Sequence, residues 1–301
     1  MKPTESNRDA AHQLCAESET HVEQRRYDEA IGCLRQALRI DPQLHSAHRR
    51  IWHLYARCGK LEAAIQAFRT ALITRFEQAP VPTPSTKLRR LDRTTLCAVD
   101  CLNPELTIPA LRRSMSSCAF DAIKLLTDKK VSAEGIEVVP IAPITSLQEY
   151  SRFMVKQLLH YIDTDHVLLI QWDGFICGPE RWEESFLLYD YIGARWPLEV
   201  MADHPEQAVG NGGFSLRSRA LLEALQDPKI AVVHPEDAII CRSYRPYLEQ
   251  RYDIAFADDV TADRFSSEHC ALDQPTFGFH GIINLSRHLP WPEFQRFEFF
   301  E

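Results

Sequence analysis

Apolar residues in the first quarter of the chain recur with a helical spacing, and the pattern then repeats itself. The segment 27–31 (YDEAI) recurs as 61–65 (LEAAI), 34 residues later, and the Ala-Leu pair at 37–38 recurs at 71–72 with the same shift. Such a period is typical of paired helices whose apolar face must be covered by a neighbouring pair. The pattern predicts an α-helical repeat module over residues 8–78.

This module resembles the tetratricopeptide repeat, a helix pair with the same period. Pro42 closes the first unit and Gly59 lies in the turn of the second, whereas Phe76 stands where a second closing proline is expected. Two repeats form only a shallow groove, so two interpretations stay open. The module either holds a partner or an acceptor peptide, or it is a docking spacer without a ligand.

A proline-rich segment separates the repeat module from the rest of the chain. Pro80, Pro82 and Pro84 exclude a regular helix and favour extended backbone, which predicts a linker over residues 79–90. The second domain is therefore expected to occupy residues 91–301.

The second domain alternates apolar strand patterns with amphipathic helix patterns. A Ser-x-x-Glu capping box from Ser146 to Glu149 marks the start of one helix. The alternation predicts an α/β domain with a mostly parallel sheet, in which ligands bind at the carboxyl ends of strands. Asp100 and Asp173 each end a predicted strand. The predicted strands are 94–100, 122–126, 136–141 and 167–173, and the predicted helices are 106–118, 146–162 and one beginning at Pro235.

Composition narrows the possible classes of protein. The chain has 301 residues and a formal net charge of -8, which argues against a broad nucleic-acid surface. The polar start lacks a secretory pattern and no apolar run is long enough to span a membrane, so we expect a cytoplasmic protein without a transmembrane segment. The nine cysteines form no CxxC pair and are odd in number, which favours packing over zinc clusters or disulfides.

Four features of the second domain could carry chemistry. A carboxylate at the end of a buried strand, such as Asp173, is costly unless it is paired or bound to a metal, although it could also cap a turn. The glycine-rich segment 210–213 could let backbone approach a ligand, or it is an ordinary loop. Glu236 and Asp237 could include a general base, or they only complement a helix dipole. His280 could complete a metal site or serve a structural role.

These features occur in a fixed order with two longer strings. Tyr150-Ser151 on a helix and Gln171-Trp172-Asp173 precede YDYIGA at 189–194, GNGGFSLRS at 210–218, the Glu-Asp pair at 236–237 and a late His280. Together they resemble a bacterial and fungal family of uncharacterised domains related to GT-A glycosyltransferases. The resemblance covers roughly residues 94–285. It implies a GT-A-like nucleotide-diphospho-sugar transferase fold.

The resemblance also implies roles for single residues. Asp173 and His280 would hold a divalent metal, Mn or Mg, on the diphosphate of a nucleotide sugar, although Gln171 replaces the first Asp of the usual Asp-x-Asp motif. Glu236 and Asp237 would be the catalytic acidic pair of an inverting enzyme, with Asp237 as the base. Contacts with the nucleotide sugar would come from Asp100, Gln171, Asp173, Gly212, Gly213 and Arg217.

The sequence thus favours a glycosyltransferase that moves a sugar from a nucleotide-sugar donor to an acceptor hydroxyl or other nucleophile. The acceptor could be a protein or peptide presented by the repeat module. One alternative is a scaffold or partner-binding protein with an inactive transferase fold, and another is a metal-dependent hydrolase or phosphotransferase. The leading hypothesis predicts that Asp173, Asp237 and His280 lie in one pocket.

Overall fold

The computed structural model describes residues 5–42, 44–83, 87–197, 208–269 and 274–288. The chain forms two compact units: the helical unit, Met1–Pro80, and the α/β unit, Val81–Glu301. Cys270 and the aromatic residues after 288 lie outside the described residues. Within the described ranges, the cysteines are free thiols, and no helix is both long and apolar enough to cross a membrane.

The helical unit consists of two helical hairpins. Ala30, Leu34 and Ala37 are fully buried in its core, where small side chains let the helices approach closely. The two hairpin turns use the same left-handed backbone, at Arg25 (φ 56°) and at Gly59 (φ 68°), so the 34-residue period extends to the turn conformation. The predicted helical repeat is confirmed. Its helices are α1 (Glu5–Glu23), α2 (Tyr27–Ile40), α3 (His45–Arg57) and α4 (Leu61–Gln78).

A six-stranded, mostly parallel sheet forms the centre of the α/β unit, as the alternating pattern predicts. Its strand order is β3-β2-β1-β4-β7-β6. The four strands from β3 to β4 run parallel, whereas β7 runs antiparallel to both of its neighbours. The strands are β1 (Arg89–Val99), β2 (Cys118–Thr127), β3 (Glu137–Pro140), β4 (His166–Ile170), β6 (Tyr191–Ile192) and β7 (Phe214–Ser218).

A second, three-stranded sheet is built from short strands, and Glu268 and His280 of the candidate site each directly follow one of them. Its order is β5-β9-β8, with β5 (Phe175–Ile176) antiparallel to β9 (Gly278–Phe279) and β8 (Ser266–Ser267) parallel to β9. The helices of the unit are α5 (Pro104–Met115), α6 (Leu147–Lys156), α7 (Arg219–Ala224), α8 (Glu236–Ala238), α9 (Arg245–Tyr252), α10 (Asp259–Phe265) and α11 (Ile282–His288).

Several boundaries differ from the predicted ones for local reasons. Strand β1 begins at Arg89 because a bulge, with Arg93 in a left-handed conformation, joins a polar first half to the apolar run. The predicted helix 146–162 becomes α6 followed by a short 3₁₀ turn, and Ser146 caps it by accepting the N–H of Glu149 at 3.1 Å. Strand β4 ends at Ile170, which leaves Asp173 on the following turn.

Candidate functional site

The turn after β4 is held against the glycine-rich segment. The N–H of Gln171 donates to the carbonyl oxygen of Gly213 at 3.0 Å, because β4 pairs with β7 immediately beyond that residue. The turn closes with the N–H of Gly174 donating to the carbonyl of Gln171 at 3.1 Å. A Cβ on Gly174 would lie 2.6 Å from the carbonyl oxygen of Phe279, so only glycine permits this close approach to β9.

His280 follows β9 and lies between two carboxylates. Its Nε2 lies 3.2 Å from Oδ1 of Asp173 and 3.1 Å from Oε1 of Gln171, and its Nδ1 lies 3.0 Å from Oε1 of Glu268. The backbone N–H of His280 donates to the carbonyl of Ser267, which fixes the start of the segment. The structure therefore brings together Gln171, Asp173 and His280, which are far apart in sequence.

This cluster is largely shielded from water. The side chains of Asp173, Glu268 and His280 are 12%, 10% and 15% exposed. Burial disfavours the imidazolium form of His280, but the two carboxylates outweigh this effect and raise the pKa of His280 to about 10. The carboxylates on both sides of the ring thus favour the imidazolium form of His280.

The same residues fit a divalent cation. Carboxylate and amide oxygens together with an imidazole nitrogen are ligands that Mn²⁺ and related ions accept. Oε2 of Glu268 is buried and has no hydrogen-bond partner among the described residues. Glu268 also meets the ring nitrogen that faces away from Asp173, which is where a metal-ligating histidine usually contacts a carboxylate. A bound cation would take the place of the imidazolium proton between these groups.

The glycine pair 212–213 connects this cluster to the acidic pair. The N–H of Gly212 donates to Oδ2 of Asp237 at 3.1 Å. A Cβ on Gly213 would lie 2.3 Å from Nε2 of His280, and a Cβ on Gly212 would lie 2.6 Å from Oε1 of Glu236. Two adjacent peptides thus contact Asp237 on one side and His280 on the other. The absence of side chains at 212 and 213 makes this convergence possible.

Arg217 and Glu236 form a buried ion pair behind this segment. Nη2 of Arg217 lies 3.4 Å from Oε1 of Glu236, the Arg217 side chain is 0% exposed, and its guanidinium lies 5.3 Å from the ring centre of Tyr191. Burial raises the pKa of Glu236, while the charge of Arg217 opposes the shift. The guanidinium of Arg217 has no exposed surface. Its predicted direct contact with a nucleotide sugar stays a prediction.

Asp100 has a structural role that is visible in its contacts. Its Oδ1 accepts the N–H groups of Leu102 and Asn103 at 2.7 and 2.8 Å, and its Oδ2 accepts the hydroxyl of Thr107 at 2.5 Å. The carboxylate therefore organises the turn between β1 and α5. It also lies at the carboxyl end of the strand next to β4, and its contact with a nucleotide stays a prediction.

No role was predicted for the side chains of Glu268 and Tyr150. The side-chain amide of Gln171 donates to the hydroxyl of Tyr150 at 3.3 Å, so Tyr150 helps to orient Gln171. Tyr150 belongs to the ordered set of motifs, and an aromatic hydroxyl on a helix near the strand end is a signal that could have indicated it. Glu268 had no such signal, because it follows a strand of only two residues.

Comparisons with known proteins support the organisation of the chain more than its chemistry. A family model described as "Protein of unknown function (DUF5672)" matches residues 135–280, and a tetratricopeptide repeat model matches residues 14–44. The predicted repeat and the predicted resemblance to an uncharacterised domain family are thus confirmed in this coarse form. No curated protein matches the sequence.

Among solved structures, the chain is similar to a mutant O-GlcNAc transferase of Thermobaculum terrenum. The identity is 14%, the TM-score is 0.20, and the match covers 54% of this chain and 39% of that chain. The chain therefore spans well under half of that protein's length. A TM-score this low does not define a shared fold.

Proposed function

We propose that the α/β unit transfers a sugar from a nucleotide-sugar donor to an acceptor nucleophile, with a GT-A-like arrangement of its site. The observation that supports this most is the convergence on the glycine pair 212–213. Asp237 contacts Gly212, and His280, with Asp173 beside it, packs against Gly213. A base and a metal-binding cluster that contact the same glycine pair suit a reaction in which one group takes a proton and another stabilises a leaving diphosphate.

In this proposal Asp173 and His280 hold a divalent metal, Mn or Mg, and Gln171 adds an amide oxygen. The metal, when bound, supplies positive charge for the diphosphate leaving group. Glu268 contacts the opposite nitrogen of the His280 ring and keeps the ring oriented towards Asp173. Tyr150 does the same for Gln171 through the hydrogen bond between its hydroxyl and the amide.

Asp237 is the proposed base. Its Oδ2 accepts the N–H of Gly212 and its Oδ1 accepts the N–H of Ala238, which fixes the carboxylate while leaving lone pairs for an acceptor proton. Asp237 is half-buried, whereas Glu236 is buried against Arg217. We therefore assign the proton transfer to Asp237, and we assign to Glu236 and Arg217 a positioning role beneath the site. Attack opposite the leaving group would give an inverting outcome.

The experiment is a screen of nucleotide sugars with Mn²⁺, in which release of the nucleoside diphosphate and labelling of acceptors are followed by mass spectrometry. Asp237→Asn should abolish transfer and retain donor binding, whereas Asp173→Asn should weaken donor binding itself. Asp163→Asn is the matched control, because this aspartate is 88% exposed and pairs only with Lys124 among the described residues. Equal activity in the wild type and in Asp237→Asn would refute the assignment of the base.

A second candidate function is partner binding by a scaffold with an inactive transferase fold. The tetratricopeptide match at residues 14–44 favours it, since such repeats commonly mediate protein–protein interaction. The presence of Gln171 in place of an aspartate also fits a site that has lost its metal. Stable capture of a partner by the helical unit, together with no nucleotide binding by the full chain, would select this function.

A further inference from the structure

The helical unit contains a cluster of ligand-type side chains that plays no part in the proposed transfer. Glu17 and His21 lie on α1, one helical turn apart and so on the same face. Cys33 lies on α2, the second helix of the same hairpin. One ligand atom from each residue can be chosen such that all three lie within 4.8 Å of one another.

The chemistry of this set is specific. A carboxylate oxygen, an imidazole nitrogen and a thiolate sulfur are the three kinds of ligand that Zn²⁺ takes from proteins, and the sulfur disfavours Mg²⁺ and Ca²⁺. Nδ1 of His21 is buried and has no hydrogen-bond partner among the described residues. Glu17 is exposed and Cys33 is half-buried, so an ion can enter from solvent.

We propose that Glu17, His21 and Cys33 form a binding site for a thiophilic divalent cation of the zinc class. On binding, the Cys33 thiol loses its proton to solvent and the sulfur bonds to the metal. Three protein ligands leave a fourth position for water or for a donor atom from a partner. The ion would link α1 to α2. It would also stabilise the hairpin, because a ligand that binds only the folded form shifts the unfolding equilibrium towards that form.

Sequence spacing gave no sign of this site. The zinc patterns that spacing reveals place two cysteines, or a cysteine and a histidine, within a few residues of each other. Here the hairpin between α1 and α2 brings Cys33 back to a histidine on the preceding helix. The site lies in the helical unit, so it does not depend on the function proposed for the α/β unit.

The test uses Co²⁺ as a spectroscopic substitute for Zn²⁺ on the full chain, reduced and stripped of metal with a chelator. A cobalt–thiolate bond gives a charge-transfer absorption band, and the cluster around Asp173 contains no sulfur ligand, so the band reports only on a thiolate site. We expect Co²⁺ to produce the band, with one thiolate-bound Co²⁺ per chain at saturation, and Zn²⁺ to remove the band by displacing Co²⁺. Cys33→Ser should remove the band, and Glu17→Gln and His21→Ala should each weaken binding about tenfold or more.

His12→Ala and Cys58→Ser are the matched controls. His12 is an exposed histidine on α1 and Cys58 is a half-buried cysteine after α3, and both variants should keep the band and the affinity. Absence of the band in the wild type, its persistence in Cys33→Ser or its loss in Cys58→Ser would overturn the proposal. Circular dichroism checks folding, and unchanged affinity in both Glu17→Gln and His21→Ala would also overturn the three-ligand site.

Discussion

Gly213→Ala is the substitution that tests the packing of the candidate site most sharply. The Cβ of the new alanine would lie 2.3 Å from both Cε1 and Nε2 of His280 and 2.5 Å from Cδ2. These are ring atoms held between Asp173 and Glu268, so they cannot swing aside as the end of a long side chain could. The φ angle of Gly213 lies outside the left-handed region, so alanine itself meets no backbone penalty there.

The magnitude follows from the distances. Ordinary contact with a Cβ begins at 3.4 Å, so the ring must retreat by roughly 1.1 Å from its present 2.3 Å separation. A shift of this size is large enough to break the 3.2 Å contact between His280 Nε2 and Asp173 Oδ1. Overpacking of a tight interior costs about 1–3 kcal/mol of unfolding free energy. With a urea m-value of about 2 kcal/mol/M, the midpoint should fall by roughly 0.5–1.5 M.

The assay is equilibrium urea unfolding of the full chain followed by tryptophan fluorescence. Three tryptophans, Trp172, Trp182 and Trp196, lie in the described part of the α/β unit, against Trp52 in the helical unit, so the signal reports mainly on the α/β unit. Nucleotide affinity in the presence of Mn²⁺ is measured on the same samples. Gly213→Ala should lower both the unfolding midpoint and the nucleotide affinity.

Gly32→Ala is the matched control, because the same substitution is expected there to raise the free energy of unfolding instead of lowering it. Gly32 lies within α2, and an added Cβ meets no atom within 4 Å. Alanine should therefore stabilise the helical unit by about 0.5–1 kcal/mol, measured by circular dichroism. A Gly213→Ala protein with an unchanged midpoint and unchanged nucleotide affinity would refute the described packing of His280 against residue 213.

Three further substitutions test other contacts. Arg217→Met leaves the buried carboxylate of Glu236 without its cation and should lower the free energy of unfolding by about 3–5 kcal/mol, with partial recovery when Glu236→Gln is added; full additivity in this double-mutant cycle would contradict the ion pair. Asp227 accepts hydrogen bonds from the hydroxyls of Tyr247 and Tyr252 and from the backbone N–H of Lys229. These bonds, above all the one from Tyr247, lower the pKa of Asp227 to about 2. Its folded pKa lies below the unfolded value near ~3.9, so its contribution is present above that value and is lost as the pH falls towards 2. Asp227→Asn should therefore show a shallower loss of stability over this pH range, and an identical acid transition would contradict the prediction. Glu268→Gln should weaken Mn²⁺ binding by about 10–100-fold, measured by calorimetry, because His280 loses its orienting carboxylate; unchanged affinity would remove Glu268 from the site.

The features that the sequence predicted well are those with a long period or a long apolar run. The 34-residue period of the sequence directly predicts paired helices. The apolar run before Asp173 forms β4 at the centre of the sheet. The ordered motifs also led to Asp173 and His280, which the structure places in contact. Local patterns suffice for the repeat and for β4 because each depends on packing within one element or against a neighbouring one, whereas the Asp173–His280 pair was found through the resemblance to a family.

The features that the sequence did not predict depend on short elements and on burial. Strands β8 and β9 have two residues each, too few for a period, yet they bring Glu268 to His280. The FSLR string at 214–217 alternates apolar and polar residues, which suggests one exposed face. In the structure every residue of β7 is buried, and Arg217 is stabilised there by Glu236. Asp100 ends a strand as predicted, but its observed partners are the groups of its own turn.

The proposed nucleotide-sugar site is tested best by calorimetric titration of the full chain with UDP and with GDP, with and without Mn²⁺, on the wild type and on Asp173→Ala. A nucleotide-sugar site built around Asp173 and His280 predicts nucleotide binding that depends on Mn²⁺ and is lost in the variant. Absence of binding of both nucleotides to the correctly folded wild type, or equal binding to the wild type and to Asp173→Ala, would rule out a nucleotide-sugar site built around Asp173.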